Sequence, residues 1–195
     1  MKNITIFFLS LIITSAFSQN NKTKASINIQ TLGSVNQSCV NEVKKTLESF
    51  YGVKAIIKSR LELSDDILSP SKTRYDASKI LHKYNSNELL LILTEKDITH
   101  KKDKNPEWGI FGLGFCPGKT CVISTFRLSK NANQDKMIER LSKVAVHEIG
   151  HNMGLDHCVN NEKCLMNDAG GTIKQVDNEK IWFCDKCRNI LKQNK

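Results

Sequence analysis

Within eleven residues the chain places three histidines and a glutamate, His147, Glu148, His151 and His157, in the order H-E-x-x-H-x-x-G-x-x-H. On a helix, residues four apart lie one above the other, so His147 and His151 face the same way and can share one metal ion. Glu148 follows the first ligand and can reach a water held at that metal. Gly154 can take the left-handed conformation that ends a helix and turns the chain. The chain then doubles back and His157 meets the ion from below. Three neutral imidazole nitrogens leave the fourth position of a tetrahedral zinc open to water, as a hydrolytic site requires. Histidines satisfied without metal would account for H-E-x-x-H alone. The glycine and the third histidine at their offsets argue against that reading. His82 and His100, the other two histidines, read as surface residues.

Seven cysteines offer a second kind of site. Cys158 and Cys164 bracket a short loop, and Cys184 and Cys187 form a C-x-x-C pair. Two such pairs form a closed tetrahedral zinc site in which four thiolates leave no open position, so this zinc would be structural. The rival is two disulfides, since an exported chain meets oxidant. The tail has little core of its own and needs a staple of one kind or the other. Cys116 and Cys121 flank Pro117-Gly118-Lys119-Thr120, a turn between two strands, and a cross-strand disulfide there is a further expectation. Cys39 is left over and reads as a buried free thiol.

These residues need a scaffold, and apolar periodicity outlines it. Residues 27–32, 53–57 and 89–93 read as strands, the last buried on both sides by its unbroken apolar character. Residues 39–51 and 75–84 read as helices, 101–106 as a charged loop, and 108–115 with 121–126 as a hairpin. Asn133 caps a long helix over 134–153 that carries the zinc motif, with Met137, Ile138, Leu141, Val144, Ala145 and Ile149 on its buried side. Gly170-Gly171 turns the chain, and a last helix over 177–193 places Cys184 and Cys187 on one face. Alternating strands and helices predict an α/β (α+β) upper half.

The 195 residues suit one domain with a real core. Residues 1–18 stand apart: a weakly basic start, the apolar run Ile4 to Ile13, then Ala16-Phe17-Ser18. They read as a signal peptide, which leaves a mature chain over 19–195 in a secreted or periplasmic location. The apolar run is short for a membrane span, and no other segment offers one. Loss of Lys2, the only charge removed, takes the net charge from +9 to +8. The lysines are scattered and have no interleaved aromatics, which reads as a solvated basic surface and not a nucleic-acid site.

The run His147 to Cys158, then Cys164-Leu165-Met166, then Cys184-x-x-Cys187, resembles the archaemetzincins, zinc peptidases of the metzincin group. Arg74-Tyr75-x-Ala77, Ile110 to Gly114 and Val122 to Leu128 extend the resemblance over most of the mature chain. Five residues separate Cys158 from Cys164 where the family pattern has four, while the seventeen between Met166 and Cys184 agree with it. The resemblance implies a zincin-like fold with a cleft between an upper half, about 25–154, and a lower half, about 155–195. The upper half would hold a twisted mixed sheet and the zinc helix, and the lower half the four-cysteine zinc. Met166 would form a methionine turn, an apolar floor beneath the catalytic metal. An edge strand at Cys121 to Arg127 would hold the substrate backbone. The implied activity is hydrolysis of a peptide or protein by a monomer carrying two zinc ions, through a zinc-activated water with Glu148 as general base. The alternatives are a catalytically silent zinc protein that retains the site, and a zinc-ribbon-like nucleic-acid module. If the signal is cleaved, N-terminal sequencing of the exported native protein begins near Gln19; an intact Met1 would rule cleavage out.

Overall fold

A computed structural model describes residues 26–193, and the segment read as a signal lies outside the described residues. The chain enters through β1 (Ser26–Leu32) and α1 (Gln37–Tyr51). The Asn36 side chain accepts from the Ser38 N–H to start α1, and Gly52 at φ +66° stops it. β2 (Lys54–Ile57) returns parallel to β1. The helix expected over 75–84 is shorter. Tyr75–Asp76 forms a short strand, β3, and the Asp76 carboxylate caps α2 (Ala77–Lys83) by accepting from the N–H groups of Ser78 and Lys79.

β4 (Leu89–Thr94) follows as expected, but the charged loop does not. β5 (Ile98–Lys102) and β6 (Asn105–Ile110) form an antiparallel hairpin that turns at Asp103, where φ is +52°. Its outer part is exposed on both faces, so no apolar alternation marked it. β7 (Gly112–Gly114) and β8 (Thr120–Ser124) make the expected second hairpin in shortened form. Two helices then follow, α3 (Thr125–Leu128) and, after a five-residue turn, α4 (Gln134–Asn152). Asn133 caps α4 by accepting from the Lys136 N–H, as the sequence predicts.

The last expected helix is in fact two, α5 (Ile173–Asn178) and α6 (Asp185–Gln193). Between them the backbone bonds elsewhere: Lys180 N–H donates to Lys163 O, and Leu165 N–H donates to Trp182 O. Those partners replace the helical ladder across 179–184. Cys184 therefore lies just ahead of α6, not on one face of it with Cys187.

The main sheet has the order β2-β1-β4-β8-β7, parallel except for β7 at its edge. This is a mixed α/β fold, buried on both faces. Ile27, Ile29, Leu91, Leu93, Cys121 and Ile123 point into a core shared with α1 and α4. Leu32, Leu90, Ile92 and Val122, of opposite parity, point into a second core with α2. That alternation explains why β4 reads as a continuous apolar run.

Helix α4 is enclosed for most of its length, polar residues included. Arg140 shows how its charge is accommodated. Its Nε and Nη2 both donate to the Asp177 carboxylate at 2.8 Å, and its Nη1 donates to the Leu128 and Lys130 carbonyls at 2.9 Å. One guanidinium thereby joins α3, α4 and α5. The Arg140 hydrogen bond, with help from Lys136, holds the Asp177 carboxyl down at about 2. An unfolded aspartate titrates near 3.9. Its folded pKa is depressed, so the pair stabilises fully above about pH 4, and that contribution fades as pH falls toward 2. Asp177→Asn should destabilise the fold by about 2 kcal/mol at neutral pH, because a buried guanidinium loses its partner. Denaturant melts at pH 7 and pH 3 check this: the loss in the variant should be smaller at pH 3.

Candidate active site

His147 and His151 project from the same side of α4 with ring centroids 4.6 Å apart. The helix ends one residue after His151, at Asn152. Gly154 sits at φ +88°, and the N–H of Leu155 donates to Gly150 O at 3.0 Å to close the turn. His157 comes back with its ring 5.5 Å from His147 and 4.9 Å from His151. One ring nitrogen from each of the three falls within 4.8 Å of the others.

The hydrogen bonds to these rings test whether a metal fits. His147 Nδ1 lies 2.6 Å from Leu165 O, and His151 Nδ1 lies 2.6 Å from Leu155 O. A carbonyl only accepts, so both Nδ1 atoms carry the proton. Both Nε2 atoms then present lone pairs to each other at 2.9 Å. A second proton on either ring is disfavoured, since burial above all depresses both imidazoles, His147 to about 3. Two facing lone pairs repel unless a cation lies between them. A carbonyl behind each histidine ligand is the usual support of a metal site.

Glu148 is buried beside these rings, and burial pushes its carboxyl up to about 8. A cation on the histidines would favour the carboxylate. The space for its side chain comes from glycines. A Cβ on Gly112 would lie 2.6 Å from Glu148 Oε1, and one on Gly114 would lie 3.2 Å from Oε2. This reveals the sheet's true edge on the cleft. The edge is β7, Gly112–Gly114, while the expected strand beginning at Cys121 is β8, covered on both sides by β4 and β7. The correction follows from the hairpin, whose first strand and not its second lies outermost.

Met166 is fully buried, and its Sδ would lie 2.7 Å from a Cβ at Gly150. Gly150 thus lets the methionine segment pack directly under the motif helix. Cys158, Cys164, Cys184 and Cys187 also converge, all buried. Their sulfurs lie 3.6 Å (158–184), 3.8 Å (164–187) and 3.7 Å (184–187) apart. A tetrahedron with zinc–sulfur bonds of about 2.3 Å has edges of about 3.8 Å, whereas a disulfide needs about 2.05 Å. The residues fit zinc, and the longer loop of 159–163 does not prevent their convergence.

The expected pairing of Cys116 with Cys121 is absent, and both are free thiols. Cys121 lies opposite Gly114 in the hairpin register and is turned toward Leu90 O, while Cys116 lies beyond the paired segment beside Leu155 O. Cys39 is a buried free thiol as expected, raised in pKa by that burial. Asp168, Lys143 and Glu179 also line the cavity and escaped the sequence reading. Lys143 could have been found from its position four residues before His147, on the same helix face. Glu179 could not, because the break between α5 and α6 places it.

This fold and this site define a zinc-dependent metallopeptidase. The chain belongs to peptidase family M54, whose family model matches residues 23–193. It is 32% identical over 166 residues to the archaemetzincin of Archaeoglobus fulgidus, covering 85% of this chain and 98% of that one. The archaemetzincin of Halobacterium salinarum is 26% identical over 176 residues, with 85% of this chain and 98% of that one covered. The crystal structure of the A. fulgidus protein, complexed with malonate, superposes with a TM-score of 0.75 over 85% of this chain and 99% of its own. That of the Methanopyrus kandleri archaemetzincin, 25% identical, gives 0.76 over 89% and 97%.

The contact between Gly112 and Glu148 generates a prediction. Gly112→Val displaces the Glu148 carboxylate and should lower turnover about tenfold or more with zinc retained. Peptide hydrolysis measured beside metal content checks it, and unchanged turnover would show that the close approach does not matter.

Proposed function

We propose that this chain is an exported peptidase with one catalytic and one structural zinc, acting as a monomer. His147, His151 and His157 would hold the first ion, and the four cysteines the second. The observation that carries the catalytic assignment is the pair of imidazole lone pairs facing each other at 2.9 Å beside a buried carboxylate. Zinc bound there would polarise the scissile carbonyl and lower the pKa of water.

The chain's own residues do the rest. β7 is an edge strand beside the histidines, and its free side offers backbone donors and acceptors to an extended peptide. The flatness of Gly112 and Gly114 lets that peptide pass close to Glu148. Glu148 takes the proton from the attacking water and returns it to the leaving amine as the peptide C–N bond breaks. The carbonyls of Leu155 and Leu165 keep His151 and His147 oriented throughout. Met166 supports the rings from below without touching substrate.

Glu148→Gln should keep two zinc ions per chain and the same melting behaviour while lowering peptide hydrolysis at least about a hundredfold. Near-normal turnover would remove Glu148 from its role. Metal analysis with a thiol count after denaturation in chelator completes the test: one zinc, with these four cysteines oxidised in pairs, would make the second site a disulfide staple.

A further inference from the structure

The cleft continues past the metal ligands. Its cavity, about 320 Å³, is lined by His147 and His151 and also by Lys143, one turn back along α4, a step of about 5.4 Å. Glu179 lines the same cavity and feels the charge of Lys143. Glu179 is only 6% exposed. Its Oε1 accepts from Gln175 Nε2 at 3.1 Å, and Oε2 accepts no hydrogen bond among the described residues. Burial, the dominant influence, pushes this carboxyl up to about 7, against the Gln175 hydrogen bond and the Lys143 charge, while Asp168 adds to the rise. The group is largely screened from water and has a single hydrogen-bond donor among the described residues.

Lys143 does not supply what is missing. Its ammonium has three donors, and they meet Glu139 Oε1 at 2.8 Å, Val176 O at 3.0 Å and Asp177 O at 3.4 Å. The cavity thus holds three carboxylates, Glu148, Asp168 and Glu179, and one ammonium already committed. Its apolar wall, Ile110, Phe111, Val144 and Val176, suits the methylene stem of a long side chain. A carboxylate with one donor of its own among the described residues, set in the cavity wall, is suited to a charge-assisted bond with a cationic ligand.

We propose that Glu179 sets the specificity of this cleft by receiving the ammonium or guanidinium of a lysine or arginine next to the bond that is cut. The stem lies along Val144 and Val176, and the cationic head meets Glu179 Oε2. An acidic side chain in that place would bring two carboxylates together in a closed space and is excluded. The substrate class is therefore basic peptides and proteins. This rests on the peptidase reading of the same site.

Two experiments separate the two ideas. In the first, the zinc-loaded wild type digests a proteome-derived peptide library. Lysine or arginine should be enriched about tenfold or more at one position flanking the cut bonds. Glu179→Gln should abolish that enrichment, and Glu179→Lys should shift it toward aspartate and glutamate. Cleavage without cationic preference overturns the specificity assignment and leaves the peptidase reading intact. In the second, zinc-loaded Glu148→Gln protein is titrated with fluorescent peptides that differ only in carrying lysine, norleucine or glutamate at each position in turn. At one position the lysine peptide should bind about tenfold tighter than its norleucine counterpart, and the glutamate peptide weakest. Equal affinities at every position overturn the proposal even if no peptide is ever cut, an outcome that would count separately against the peptidase reading. This comparison needs no change at Glu179, so it stands if Glu179→Gln fails to fold.

Discussion

Two backbone carbonyls orient the histidines, and much of the lower structure exists to hold one of them. Leu155 O belongs to the turn at Gly154 and is local to the motif. Leu165 O, the partner of His147, arrives from a segment eighteen residues further on. Leu165 is held by its own N–H donating to Trp182 O at 2.9 Å, and the neighbouring Met166 O accepts from the Cys158 N–H at 2.7 Å. Cys164 and Cys184 flank these contacts within the buried sulfur cluster. The four cysteines thus support the His147 ring indirectly. They pin the loop that pins the carbonyl that fixes the His147 proton on Nδ1. A neutral imidazole with the wrong tautomer would turn a proton, not a lone pair, toward the metal.

The same economy appears along α4. A helix buried on nearly every side is unusual for one so rich in polar residues, and several of the enclosed groups have partners that tie the helix to something else. Arg140 reaches α5 and the end of α3, and Lys143 reaches the carbonyls at the end of α5. Asn152 donates to Phe115 O and Thr120 O, closing the loop between β7 and β8 onto the helix end. Tyr51 donates from α1 to Val146 O at 2.7 Å. These contacts locate a 19-residue rod against sheet and tail, so that the rings it carries meet the edge strand at fixed depth. Glu148 and Glu179 are the exceptions among its buried carboxylate neighbours, short of hydrogen-bond donors, and both face the cleft where a ligand would lie.

The sequence alone determined which histidines and which cysteines converge, the helix that carries two of the histidines, and the buried strands. These are local properties: a spacing of four on a helix, a glycine that permits a reversal, a capping asparagine, an unbroken apolar run. The family, too, was legible from the same motifs. What escaped was whatever depends on partners distant in the chain. The hairpin of β5 and β6 is polar and lies at the surface, so nothing in its pattern distinguished it from a loop. The helix over 177–193 has helical spacing throughout, yet backbone bonds from Lys163 and Leu165 interrupt it and carry Glu179 into the cleft. The edge strand was misplaced by one hairpin arm, because strands of either arm look alike until sheet order is known. Cys116 and Cys121 flank a turn, but register, not proximity in sequence, decides whether two side chains meet. Spacing along one element is written in the order of residues; adjacency between elements is decided only when they pack, since it depends on which of many competing hydrogen-bond partners the whole fold can satisfy at once.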